Sequence, residues 1–160
     1  MQTATMVAAA LAPNARARTR CFNELTAIEA ELARRARLRS LRTSVPEVFQ
    51  PLFEPSRYKG AHGGRGCAKS WSFGLMALDR CIQQPGFRLV CIREVQHSLE
   101  QSVKRLLEDL IEKFQLGLLF RVLNTHIEGP DDGLIIFQGM QNHTAESIKS
   151  LEGYDVAWVE

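Results

Sequence analysis

"GAHGGRGCAKSWSFG", Gly60 to Gly74, places four glycines and a lysine in its first ten residues and then runs into a helix-like stretch. Aligned with the pattern GxxxxGK[ST], Gly63 is the first glycine, Gly64, Arg65, Gly66 and Cys67 are the variable positions, and Lys69 and Ser70 complete the motif. Such a loop works because its backbone N–H groups and the following helix N-terminus surround phosphate oxygens. The lysine neutralises their charge and the hydroxyl ligates Mg²⁺.

One residue departs from the pattern: Ala68 stands where the second glycine belongs. If position 68 requires positive φ, alanine costs on the order of 1 to 2 kcal/mol. If it is right-handed at a helix start, alanine gains up to about 1 kcal/mol of propensity over glycine. Lysine, hydroxyl and glycine-rich backbone are present either way.

A phosphate loop of this type also needs an acid at the end of a neighbouring buried strand, to hold Mg²⁺ directly or through water. "VAWVE", Val156 to Glu160, supplies an apolar strand ending in a carboxylate, about ninety residues after Lys69. Taken with the loop, this makes an incidental glycine-rich turn a poor account of Gly60 to Gly74.

The segments between alternate in period. Arg57 to Ala61 reads as a short strand leading into the loop. Lys69 to Ile82 reads as a helix with Phe73, Met76, Ala77 and Leu78 inward. "RLVCIR", Arg88 to Arg93, is the apolar run of a buried parallel strand. From Ser98 to Gln115, Leu99, Val103, Leu106, Leu107, Leu110, Ile111 and Phe114 form one broad helical stripe. Two strands then flank a turn from Gly129 to Gly133. The expected fold is α/β, a three-layer P-loop NTPase-like arrangement with a mainly parallel sheet.

Composition agrees with an ordinary soluble globular protein: 160 residues, 45% hydrophobic, 24% charged. No run approaches the roughly 18 apolar residues of a membrane span. Cys21, Cys67, Cys81 and Cys91 form no CxxC pair and read as reduced thiols, with Cys81 and Cys91 buried among apolar neighbours.

The net charge of +2 conceals an asymmetry. Residues 1–44 hold eight arginines against three glutamates, +5, whereas 45–160 carry −3. The first 23 residues contain no acid and fit a disordered basic arm, a targeting peptide or an upstream extension of the reading frame. Glu24 to Arg42 is an amphipathic pattern with Glu31 facing Arg34 and Arg35, its arginines either solvated or against DNA phosphates. Pro46, Pro51 and Pro55 predict an extended connector, with Phe49, Leu52 and Phe53 free to pack. A boundary is therefore expected near residue 44, between a basic N-terminal segment (1–44) and an α/β region (45–160).

Four stretches in order, "EVFQPLFEPSRYKGAHGGRGCAKSW", "LVCIREVQHSLEQSVKRLLEDLIEKF", "LIIFQGM" and "SIKSLEGYDVAWVE", resemble the N-terminal ATPase region of the phage terminase large subunit, PBSX-type. The resemblance implies an ATP-driven motor of the host bacterial cytoplasm. It would move double-stranded DNA into a procapsid as a ring at the portal protein, with a small terminase subunit selecting the DNA. It also implies a C-terminal nuclease domain, absent from this chain. Carried over, Lys69 would neutralise β and γ phosphates and Ser70 would bind Mg²⁺. Gly63, Gly64 and Gly66 would admit the phosphates, Arg65 would stabilise transition-state charge, and Ala68 is a tolerated departure. Glu160 would be the Walker B metal acid, with the catalytic glutamate expected next, so a truncated region incompetent by itself is expected. Arg57 and Tyr58 fall where the family contacts adenine, though strand packing also accounts for them. Arg93 and Gln96 end a core strand, and Lys149 is a candidate for DNA or phosphate contact. His62, His97, His126 and His143 form no spaced pair and read as surface residues. A helicase- or repair-type P-loop ATPase and an inactive prophage remnant are the competing readings.

Overall fold

The computed structural model describes residues 15–93, 100–139 and 152–160. The expected features at Gln96, His97, His143, Lys149 and residues 1–14 lie outside them. The chain divides into two units, Met1–Arg39 and Ser40–Glu160.

What is described of the first unit is helical. Helix α1, Ala15–Thr43, starts earlier than the amphipathic pattern suggested, because alanine and arginine in "ARART" are strong helix formers. Arg20 Nε lies 2.9 Å from Glu24, and Glu31 takes Arg35 Nε at 2.7 Å and Arg34 Nη1 at 3.4 Å. The hydrogen bond from Arg35 holds the Glu31 carboxyl below its ordinary range.

The second unit begins with the last turn of α1, where Leu41 is fully buried. The proline-rich connector is not extended. Glu47–Phe53 forms a 3₁₀ helix that includes Pro51 and buries Leu52. Proline lacks a donor but keeps its acceptor: Pro46 and Pro51 carbonyls take the N–H groups of Phe49 (2.9 Å) and Glu54 (3.2 Å). The fixed proline φ falls within the 3₁₀ range. The expected strand at Arg57 to Ala61 is also absent. That stretch has no apolar face to bury, Tyr58 is exposed, and Ser56 Oγ bonds locally to the Tyr58 carbonyl at 2.8 Å.

Helix α2, Lys69–Gln83, follows the glycine loop. Its core contacts are wider than one stripe: Leu75, Met76, Ala77, Leu78, Cys81 and Ile82 are all buried, while Phe73 is half-buried. A π-helical turn, Glu100–Lys104, leads into helix α3, Arg105–Lys113, which buries Leu107, Leu110 and Ile111. Gly74 lets α3 approach α2 closely, since a Cβ there would sit 2.7 Å from Leu110 Cδ1.

Five strands form one sheet: β1 (Arg88–Arg93), β2 (Arg121–Val122), β3 (His126–Glu128), β4 (Leu134–Gly139) and β5 (Val156–Val159), in the order β2-β3-β4-β1-β5. β1 is an interior strand buried on both faces, as its apolar run requires. It runs parallel to β4, with Arg88 opposite Leu134, and parallel to β5, with Leu89 opposite Val156. β3 and β2 add antiparallel pairs. The sheet is thus mixed: the short turn at Gly129 to Gly133 can only reverse the chain, whereas parallel neighbours need long crossovers. That turn presses on α2, where a Cβ on either glycine would collide with Cys81 Sγ.

Candidate functional site

The loop between the 3₁₀ helix and α2 carries Gly63 (φ 145°), Gly66 (φ 86°) and Ala68 (φ 63°). Ala68 is left-handed (ψ 18°) and caps α2 without a side-chain hydrogen bond. Of the two geometries open to it from sequence, the costly one is adopted. Ala68→Gly should relieve about 1 to 2 kcal/mol of αL strain while returning about 0.4 to 1 kcal/mol through unfolded-chain entropy. The expected net is a stabilisation of up to about 1.6 kcal/mol, measurable by urea denaturation; a less stable variant would contradict it.

Lys69, in the first turn of α2, turns its ammonium back into the loop. Nζ donates to the carbonyls of Gly63 (2.6 Å) and Gly64 (3.0 Å) and to Cys67 Sγ (3.1 Å). The hydrogen bond from the Lys69 side chain pushes the exposed Cys67 thiol down, and the backbone N–H groups of Lys69 and Cys67 add to it. The Cys67 sulfur therefore occupies a cluster of donors that favours negative charge. Burial acts the other way on the core thiols, raising Cys81 to about 12 and pushing Cys91 up, with Glu160 adding to the latter.

Maleimide at neutral pH should modify Cys67 at least about tenfold faster than Cys81 or Cys91, because the thiolate is the nucleophile. Lys69→Ala should slow the reaction at Cys67. Peptide mapping in a Cys21→Ser background reads both effects, and equal rates at the three sites would overturn the first.

Ser70 lies one residue further along α2. Its Oγ donates to Glu160 Oε1 at 2.7 Å across ninety positions of sequence. Glu160 follows β5, and its N–H continues the ladder to the Ile92 carbonyl at 3.1 Å, which sets its height against β1. Loop, helix start and strand end thus converge on Lys69, Ser70 and Glu160. Gly64, Arg65 and Gly66 stand exposed on the loop, and Arg65 makes no ion pair among the described residues.

Other candidates fall elsewhere. Arg93 Nη1 donates to Ser102 Oγ at 3.0 Å, tying β1 to the π-helical turn that precedes α3. His62 is exposed, and His126 on β3 meets Thr125 Oγ1 at 2.9 Å. Arg57 lies over the Tyr58 ring at 5.3 Å. Tyr58 joins Phe49, Leu52, Lys59, His62 and Cys67 around an open cleft of about 1010 Å³ beside the loop. Phe49 and Lys59 carried no sequence signal as cleft residues, since the 3₁₀ helix that presents Phe49 was expected to be extended. Among the described residues no three His, Cys, Asp or Glu side chains cluster as a metal centre. No helix among them is long and apolar enough to cross a membrane.

These features define an α/β protein in which a glycine-rich, lysine-bearing loop and a strand-end carboxylate meet at the start of one helix. A family model described as phage terminase large subunit matches residues 56–160, and the chain belongs to that family, whose role is in phage DNA packaging. No curated protein matches the chain.

Proposed function

We propose that residues 45–160 form the ATP-binding part of a terminase large subunit motor with a P-loop NTPase-like fold. The assembled motor would drive double-stranded DNA into procapsids in the host cytoplasm, as a ring at the portal protein working with a small terminase subunit. The observation that carries this reading is the 2.7 Å contact of Ser70 with Glu160 beside the Lys69 loop.

The residues suit the groups implied. Mg²⁺ keeps several waters and takes one or two protein oxygens together with phosphates, so one hydroxyl and one carboxylate are a sufficient protein share. The lowered Cys67 thiol supports the loop as a place for anionic oxygens. Lys69 would exchange the Gly63 and Gly64 carbonyls for phosphate oxygens, with Gly63, Gly64, Gly66, Cys67 and Ala68 supplying backbone around them. Arg65, exposed on the loop, would offset charge developing on the transferring phosphoryl group, a role worth about 10³ to 10⁵ in rate. The cleft at Tyr58 and Phe49 would take the base. The metal, when bound, supplies charge neutralisation across the outer phosphates.

Fluorescent ATP titrated with Mg²⁺ and with EDTA tests this. Mg²⁺ is expected to tighten binding to the wild type, and Glu160→Gln to lose about tenfold or more of that gain. An unchanged gain in Glu160→Gln would remove Glu160 from the metal site.

A further inference from the structure

We propose that the stacked rings of Phe73 and Trp158 are positioning residues that keep Glu160 in register with Ser70. The inference rests on the reading of Ser70 and Glu160 as the metal pair. Trp158 and Glu160 are two apart at the end of β5 and share a face; Ser70 and Phe73 are three apart on α2 and share a face. Two matched contacts therefore join the same helix to the same strand: Oγ to Oε1 at 2.7 Å, and ring to ring at 5.9 Å between centroids with 23° between planes.

β5 needs such a pin. It is four residues long, lies at the end of the sheet and pairs with β1 alone among the described strands. Its ladder, from Leu89 opposite Val156 to Ile92 opposite Val159, sets Glu160 along and beside β1. Backbone pairing leaves the distance between the strand end and α2 open. Trp158 is the single buried residue of β5, while Ala157 and Val159 face outward and are exposed. The stack on Phe73 is thus the apolar contact that sets how near the strand end comes to the helix. Glu160 is exposed and Ser70 half-buried, so their mutual bond competes with water and holds the strand weakly.

The test reads the metal-dependent gain in nucleotide affinity, the ratio of dissociation constants in EDTA and in Mg²⁺, for the full chain. Phe73→Leu is expected to cut that gain about tenfold, as loss of a supporting residue behind a ligand does. It should leave the EDTA constant within about twofold, because Lys69 and the loop are untouched, and Phe73→Tyr should restore the gain. Should Phe73→Leu fail to fold by circular dichroism, Phe73→Met, similar in volume and without a ring, carries the same expectation. A wild-type gain in either ringless variant overturns the positioning role and leaves the metal pair standing. Absence of any gain in the wild type overturns the metal pair and this inference with it.

Discussion

Lys69→Ala is expected to weaken ATP binding by about a hundredfold while the protein stays folded. A charge-assisted hydrogen bond is worth about 1.5 to 3 kcal/mol, and each 1.4 kcal/mol is about tenfold in affinity. One ammonium bridging two phosphates belongs at the upper end. The fold should survive because, among the described residues, the Lys69 ammonium bonds only to loop atoms, the carbonyls of Gly63 and Gly64 and the Cys67 sulfur, and none of these is in the core. Lys69→Arg should not rescue binding, since a planar fork cannot replace a compact ammonium among three nearby acceptors. Calorimetric titration with ATP reads the effect, and equal affinity in wild type and Lys69→Ala would end the phosphate-loop assignment.

The largest effect on stability is expected at Arg42. Asp79 is 1% exposed on α2, and its carboxylate accepts from Arg42 Nε and Nη2, each at 3.0 Å, and from Gln83. The Arg42 guanidinium, its own pKa raised first by the bond to Asp79, also lies over the Phe53 ring at 5.3 Å. One side chain thus ties the end of α1, the 3₁₀ helix and α2 together. Removing it leaves a buried carboxylate without its cation, which costs about 3 to 5 kcal/mol where no water enters. Arg42 is 44% exposed, so water can reach Asp79 in part, and about 3 kcal/mol is the expected loss for Arg42→Ala. In urea denaturation the double variant Arg42→Ala, Asp79→Ala should lose less than the sum of the singles, by about 2 kcal/mol. A loss under about 0.5 kcal/mol in Arg42→Ala would contradict the pairing.

Much of this was legible along the chain. The boundaries of α2 and β1 follow from period and turn residues, and β1 matches its expected range at both ends. Glu31 meets Arg34 and Arg35 because helical spacing alone makes them neighbours. The errors fall where local signals are weak. Three prolines read as extended chain because their missing donors were counted while the carbonyls of Pro46 and Pro51, which accept the hydrogen bonds of the 3₁₀ helix, were not. Arg57 to Ala61 read as a strand from its place before the loop, yet a strand needs a partner edge and a face to bury, and this stretch has neither among the described residues. By contrast, the turn from Gly129 to Gly133 was legible in the chain, and it sets the antiparallel part of a sheet whose strands run parallel around β1.

Sequence by itself determined the ingredients of the site: a glycine-rich loop, Lys69 and Ser70 at a helix start, and an acid ending an apolar strand. These depend on residue type and on spacings within a few positions, which composition and period record directly. Tertiary structure alone decided that Ala68 is left-handed, that the Cys67 sulfur rests among the donors of Lys69, and that Ser70 reaches Glu160 over ninety positions with Phe73 and Trp158 stacked behind them. Such contacts arise from the order of strands and the packing of one helix on their sheet, and no local pattern in the chain encodes a distance between residues so far apart.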